Sequence, residues 1–159
     1  MVGDYNKMIR MGKEEVIITS GALSAPNILC LFNKFDSCFY PSFSTTINLS
    51  EYAIKLSRYA YFMIYKVDSG IEGLLAYYKN ERYHDYYIPF LCVSKTRQNK
   101  GVGKQLIECL KLNVEPEYSS ISLEVNKNNV KAYDFYLKMG FKIKEDRFEK
   151  YLLTLDCRQ

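Results

Sequence analysis

The sequence predicts one mixed α/β domain, on three observations. Its 159 residues suit a single domain and are enough to bury about two thirds of the unfolded surface. Apolar residues at helical spacing alternate along the chain with runs of strand character. No internal repeat or linker interrupts the alternation, which is the pattern of helices packed on a mixed sheet.

Composition sets the outer limits. Apolar residues make up 48% and charged residues 25%, with 15 tyrosines and no tryptophan. These are the proportions of a soluble globular protein apart from the aromatic bias. A formal charge of +4, spread rather than clustered, argues against nucleic acid as a partner. Five cysteines (Cys30, Cys38, Cys92, Cys109, Cys157) without a CxxC spacing read as reduced, buried thiols and not as a disulfide frame or zinc site. The N-terminal MVGDYNKMIRMGKEE lacks the apolar centre of a signal peptide, and the longest apolar runs fall short of a membrane span. The expectation is a cytoplasmic protein that engages no membrane, as a monomer or a homodimer.

Taken in order, residues 1–13 are polar and are expected to be loosely ordered, and 16–20 (VIITS) read as a strand. After Pro26, Ile28, Leu29, Leu31, Phe32 and Phe35 keep helical spacing; 36–48 reads as irregular, with Phe39 and Tyr40 exposed in CFYPSF. Ser50 is the expected N-cap of a second helix to about Tyr59. The period then shortens: 61–67 and 73–80 read as strands joined at Asp68-Ser69-Gly70, and ERYHD (81–85) as a polar loop. The run 86–93 reads as a strand covered on both faces and interrupted by Pro89, where the ladder must bulge or come unpaired. Val102, Leu106, Leu110 and Val114 define a helix, 119–125 a strand, and 128–141 a helix with a wide apolar face ending at Gly140. Two short strands, about 142–147 and 150–155, complete the chain.

The stretch RQNKGVGKQL (97–106) carries the first chemical signal. Glycines at a helix start leave its first amides uncovered, and those amides with the helix dipole attract phosphate. The spacing fits neither a nucleotide-triphosphate loop nor a dinucleotide fold, because one residue separates the glycines, Gln105 follows Lys104, and no third glycine follows. A tight strand-to-helix turn is the plain alternative. Gln98-Asn99-Lys100-Gly101-Val102-Gly103 does match a Q/R-x-x-G-x-G/A signature, and Asn129, Ala132, Tyr136, Gly140 and Phe141 stand in an N-x-x-A-x-x-x-Y-x-x-x-G-F arrangement downstream. On these two motifs the chain resembles the Gcn5-related N-acetyltransferase (GNAT) family, specifically over about residues 86–141.

The resemblance implies a GNAT-like acyl-CoA N-acyltransferase fold, with a central sheet splayed between the strands at 86–93 and 119–125 and flanked by helices. It implies acetyl-CoA as co-substrate. The pantetheine arm would pair with the backbone of Leu91 and Val93; the diphosphate would lie on the amides from Asn99 through Lys100, Gly101, Val102 and Gly103 to Lys104, helped by the side chains of Gln98 and Lys104. Asn129 would hold the cofactor arm or simply cap its helix.

By the same resemblance Tyr136 is the acid at the leaving thiolate. A phenol near pKa 10 against a thiol near 8.5 makes complete proton transfer uphill by about 2 kcal/mol, so a hydrogen bond to the thiolate is the safer role; the alternative is that Tyr136 only packs its helix. Pro89 occupies the place where many relatives carry a carboxylate. Glu124, in LEV, is the substitute base implied by the family, and it alternates with Leu123 and Val125 so as to face away from the core, partly desolvated; an ion-paired structural glutamate is the competing reading. His84, the only histidine, reads as a solvated loop residue, and about half of Tyr77, Tyr78, Tyr86 and Tyr87 should face the reaction side. The function implied is acetyl transfer to the primary amine of a small molecule, such as an amino sugar or amino-acid-like metabolite. A protein or peptide acceptor, or a non-catalytic acyl-CoA sensor, are the alternatives.

Overall fold

A computed structural model describes residues 5–11, 14–39 and 42–158. By their internal contacts these divide into two compact units, Met1–Ala76 with Leu91–Ile107, and Tyr77–Phe90 with Glu108–Gln159. Among the described residues no helix is long and apolar enough to cross a membrane.

The first unit holds strands β1 (Tyr5–Met11), β2 (Glu14–Gly21), β3 (Tyr61–Val67) and most of β4 (Gly70–Asn80), hydrogen-bonded in that order. β1 pairs antiparallel with β2 from Tyr5 opposite Ser20 to Met11 opposite Glu14, and β2 pairs with β3 from Ile17 opposite Lys66 to Gly21 opposite Phe62. Residues 5–11 were expected to be loose because they are polar. They form a strand because β2 offers an edge whose amides and carbonyls need partners; residues 1–4, 12 and 13 of the same stretch lie outside the described residues.

Helix α1 (Ala25–Phe35) starts at Ser24, whose Oγ accepts from the Asn27 N–H at 3.4 Å, with Pro26 in the first turn, where its missing N–H costs nothing. Ile28, Leu31, Phe32 and Phe35 bury its inner face. The stretch expected to be irregular instead holds a 3₁₀ turn (Asp36–Cys38) and the short helix α2 (Phe43–Thr46). Asp36 links them: its carboxylate accepts from the Ser44 hydroxyl at 2.6 Å and amide at 3.0 Å, which hold it below the usual carboxylate range. Phe39 is not exposed. It is 9% accessible, stacks on Phe43 at 3.9 Å and meets Phe32 edge-on at 6.2 Å, while Phe32 stacks on Tyr52 at 5.6 Å. The aromatic segment therefore closes the core; Tyr40 lies outside the described residues. Helix α3 (Leu49–Tyr59) is capped by Asn48, not Ser50: Asn48 Oδ1 accepts from the Glu51 N–H at 3.1 Å.

Strand β5 (Asp85–Val93) and helix α4 (Val102–Leu112) each contribute residues to both units. In the first unit α4 sits directly on β4, because a Cβ on Gly73 would come within 2.7 Å of Val102 Cγ1 and 3.2 Å of Leu106 Cδ1. The absence of a side chain there sets the height of the helix head above the strand.

The second unit orders its strands β5, β6 (Ser120–Asn126), β8 (Lys150–Asp156) and β7 (Lys142–Arg147). β5 and β6 are parallel, and their register runs only from Asp85 opposite Ser120 to Ile88 opposite Leu123. It stops immediately before Pro89, as a residue without an amide donor requires. Tyr86 stacks on Tyr77 at 5.3 Å and meets Tyr118 at 4.9 Å; burial pushes its phenol up to about 12. Helix α5 (Val130–Lys138) ends at Gly140, with φ +98°, where the Phe141 N–H reaches the Tyr136 carbonyl at 3.0 Å. Its covered stripe is narrower than the sequence implies: Val130 is 60% and Leu137 39% exposed, and burial centres on Tyr136.

Replacing Gly73 by alanine is expected to destabilise the fold by about 1–3 kcal/mol, since Val102 and Leu106 are packed and cannot retreat. Thermal unfolding should report this as a drop of several degrees in Tm; an unchanged Tm would mean that the head of α4 is free to shift.

Candidate active site

The loop that the glycines opened lies wholly in the first unit. Ser94, following β5, donates its N–H to the Glu72 carbonyl of β4 at 2.9 Å. Backbone donors alternate sides along a strand, so the N–H groups of Leu91 and Val93 face away from β4, in the same set as the vacant position at Pro89. Gln98 is tied down: its Nε2 donates to the Val93 carbonyl at 3.2 Å, anchoring the loop to the strand end. Asn99 (φ +62°) and Gly101 (φ +84°) both take the left-handed conformation. The internal ladder of α4 begins with the Gln105 N–H to the Gly101 carbonyl at 3.0 Å, so the amides of Val102, Gly103 and Lys104 precede it. A Cβ built on Gly101 meets no atom within 4 Å. The space beside Gly101 is therefore open, and Lys100 and Lys104 are exposed. A diphosphate fits such a cradle, which offers successive N–H donors at the positive end of an 11-residue helix.

The second unit carries the remaining predicted residues. Leu123 and Val125 are buried at 2% and 5%, and Glu124 between them projects to the opposite face with its side chain 30% accessible. Tyr87 donates its phenol to Glu124 Oε1 at 3.2 Å, and Arg147 Nη1 lies 3.8 Å from Oε2. Arg147 also holds Glu145 at 3.0 Å. Burial and the Glu124 charge raise the Tyr87 phenol far above its ordinary value, which leaves it a proton donor to the carboxylate. Of the four tyrosines singled out in the sequence, Tyr87 is the one that touches a candidate catalytic group; Tyr77 and Tyr86 stack in the interior.

Tyr136 is buried at 9%, its ring 5.5 Å from Phe141 and 5.1 Å from Phe135. Asn129 caps α5, its Oδ1 accepting from the Ala132 N–H at 3.3 Å, so the simpler of its two expected roles is realised. His84 is exposed in the turn before β5, at φ +51°. All five cysteines are free; Cys92 and Cys109 are buried, Cys38 and Cys157 are partly covered, and Cys30, expected in the core, is exposed on α1. No cluster of metal-ligating side chains occurs among the described residues.

Sequence reasoning missed Asp85, placed there in a polar loop. It is the first residue of β5 and only 5% accessible, with Oδ2 accepting from the Ser122 hydroxyl. Its signal was period two: Asp85, Tyr87 and Pro89 alternate with buried Tyr86, Ile88 and Phe90, just as Ser122 and Glu124 alternate with Ile121, Leu123 and Val125. Asp85, Tyr87, Ser122, Lys144, Glu145 and Arg147 line a pocket of about 330 Å³ on this face.

These strands and helices make a mixed α/β fold with a glycine-headed helix. Residues 13–155 match the acetyltransferase (GNAT) domain, and the chain belongs to that family, whose acetyl donor is acetyl-CoA. No curated protein matches the chain by sequence. Among solved structures it is similar to a GNAT-family acetyltransferase from Desulfovibrio desulfuricans (15% identity, 90% of this chain and 99% of that one, TM-score 0.71). It is similar also to the PaiA N-acetyltransferase of Thermoplasma acidophilum in complex with coenzyme A (16%, 87% and 98%, 0.67) and to the ribosomal-protein-S18-alanine N-acetyltransferase of Escherichia coli (13%, 89% and 95%, 0.68). At these identities the likeness is one of fold.

Gly101→Ala is expected to cost about 1–2 kcal/mol of stability from its left-handed backbone and to weaken coenzyme A binding more than tenfold, because the new methyl projects into the open cradle. Calorimetric titration with coenzyme A measures the second effect; equal affinity in both proteins would remove the diphosphate from this loop.

Proposed function

We propose that the chain is a single acetyltransferase domain that moves acetyl from acetyl-CoA to the primary amine of a small molecule, with Glu124 as base and Tyr136 as the group that receives the leaving sulfur. The observation that carries this reading is the setting of Glu124: a half-covered carboxylate held from two sides, by Tyr87 at 3.2 Å and Arg147 at 3.8 Å, next to a pocket of about 330 Å³. That volume lies at the lower end of small-molecule sites and suits a compact acceptor better than an extended peptide.

Acetyl-CoA supplies, when bound, a thioester whose C–S bond breaks as the acceptor nitrogen takes the acetyl group. The chain's own residues provide the rest. Leu91 holds the pantetheine amides through its outward backbone groups and Val93 through its N–H, and the amides from Asn99 to Lys104 hold the diphosphate. Glu124 takes the proton that the nitrogen sheds as its lone pair becomes a C–N bond. Tyr87 and Arg147 keep the carboxylate aimed while that happens. Tyr136 donates its phenolic hydrogen bond to the departing sulfur, which stabilises the thiolate without requiring the uphill transfer.

Glu124→Gln should lower kcat by about 100-fold or more, the usual contribution of a positioned base, and Tyr136→Phe should lower kcat while acetyl-CoA affinity stays within twofold. Thiol release with a panel of small amines and one peptide N-terminus measures the first, and thermal shift the second: acetyl-CoA at a hundred times its Kd should add about 2.7 kcal/mol to the fold. Turnover unchanged in both variants would contradict these roles, and acetyl-CoA binding with no turnover on any amine would favour a sensor.

A further inference from the structure

The loop of residues 94–101 is held at its two ends by two adjacent residues of β4. At its exit the head of α4 rests on Gly73, where an added Cβ would come within 2.7 Å of Val102 Cγ1. At its entry Glu72 makes two bonds to one residue: its backbone carbonyl accepts the Ser94 N–H at 2.9 Å, and its carboxylate Oε2 accepts the Ser94 hydroxyl. The other carboxylate oxygen, Oε1, accepts from the Ser69 hydroxyl of the hairpin turn at 3.4 Å. The hairpin is itself anchored, because Lys34 of α1 donates to the Ile71 carbonyl. From Ser94 the restraint passes along the chain. The Ser94 carbonyl accepts the Arg97 N–H at 2.9 Å, and Gln98 Nε2 returns to the Val93 carbonyl at 3.2 Å, one residue before Asn99 turns left-handed.

The stretch from Ser94 to Lys104 carries Lys95, Arg97, Lys100 and Lys104 and no acidic residue. A carboxylate repels a diphosphate, so Glu72 can aid binding only through what it holds. Ser94 has one hydroxyl proton and gives it to Glu72, so that hydroxyl is not a donor for phosphate either. Resting on the acetyltransferase reading above and its diphosphate loop, we propose that Glu72 is a positioning residue of the donor site: by fixing Ser94 it sets where the amides from Asn99 to Lys104 stand when the coenzyme A diphosphate arrives. A row of backbone donors serves a ligand only when held within about 0.5 Å of the productive geometry. A loop fixed at Gly73 alone would leave its entry free to swing.

Calorimetric titration with coenzyme A, and thiol release from acetyl-CoA and from S-acetyl-pantetheine, which lacks the diphosphate, test this together. Glu72→Ala should raise the Kd of coenzyme A at least tenfold and lower the ratio of kcat/KM for acetyl-CoA over S-acetyl-pantetheine at least tenfold, with the loss falling on KM and not on kcat. Glu72→Gln, whose amide oxygen still accepts from Ser94, should restore both readings to within threefold of the wild type. Ser94→Ala removes the same hydroxyl bond from the loop side and should shift both readings in the same direction by at least fivefold, and the double variant should bind coenzyme A no more weakly than Glu72→Ala alone. Both donors lost equally, or coenzyme A affinity unchanged in either single variant, would overturn the proposal and leave the acetyltransferase reading standing. Coenzyme A bound with no turnover on any amine would overturn that reading, while the titrations still decide the role of Glu72. No binding of coenzyme A by the wild-type protein would overturn both.

Discussion

One absent hydrogen atom organises this protein. Proline at position 89 has no N–H, and the parallel register of β5 with β6 ends at the pair Ile88 and Leu123. Parallel strands that stay paired to their ends offer a ligand nothing, because every amide and carbonyl already has a partner. In the proposed reading an amide-rich cofactor arm takes the N–H groups of Leu91 and Val93, which face away from β4, while the Val93 carbonyl is held by Gln98 at 3.2 Å. The same strand delivers the chain into the loop where Gly101, at φ +84°, starts α4. A single residue thus marks where the ladder ends.

The polar face of β5 and β6 follows from the same alternation that builds the core. Buried Ile121, Leu123 and Val125 oblige Ser122 and Glu124 to face the other way, and Tyr86 and Ile88 do the same for Asp85 and Tyr87. In the second unit, β8 and β7 continue that face and bring Arg147 to Glu124. The resulting carboxylate is both ion-paired and hydrogen-bonded, as the structural reading of Glu124 expects. In the proposed reading these two partners keep the carboxylate aimed.

Much of the fold was legible because each segment is consistent with itself: strand period at 61–67, helical period at 27–35, glycine at the end of α5. What escaped was set by partners distant in sequence. Nothing in YNKMIRM announces a strand until the edge of β2 is there to receive it. Phe39 reads as an exposed loop aromatic until Phe32, Phe43 and Tyr52 close around it. Asp85 reads as loop because acidic residues are rarely buried, and the hydroxyl of Ser122 that holds one of its oxygens lies 37 residues away. The two family motifs pointed to the cradle and to Tyr136, but they carried no information about Arg147, whose position depends on a hairpin.

Amide hydrogen exchange along β5, with and without coenzyme A, measures the central claim most directly. The account predicts that in the free protein Leu91 and Val93 exchange much faster than Tyr87 although all three lie in one strand, and that coenzyme A slows them together with Val102, Gly103 and Lys104. Leu91 and Val93 exchanging as slowly as Tyr87 without ligand, and unaffected by coenzyme A, would contradict it.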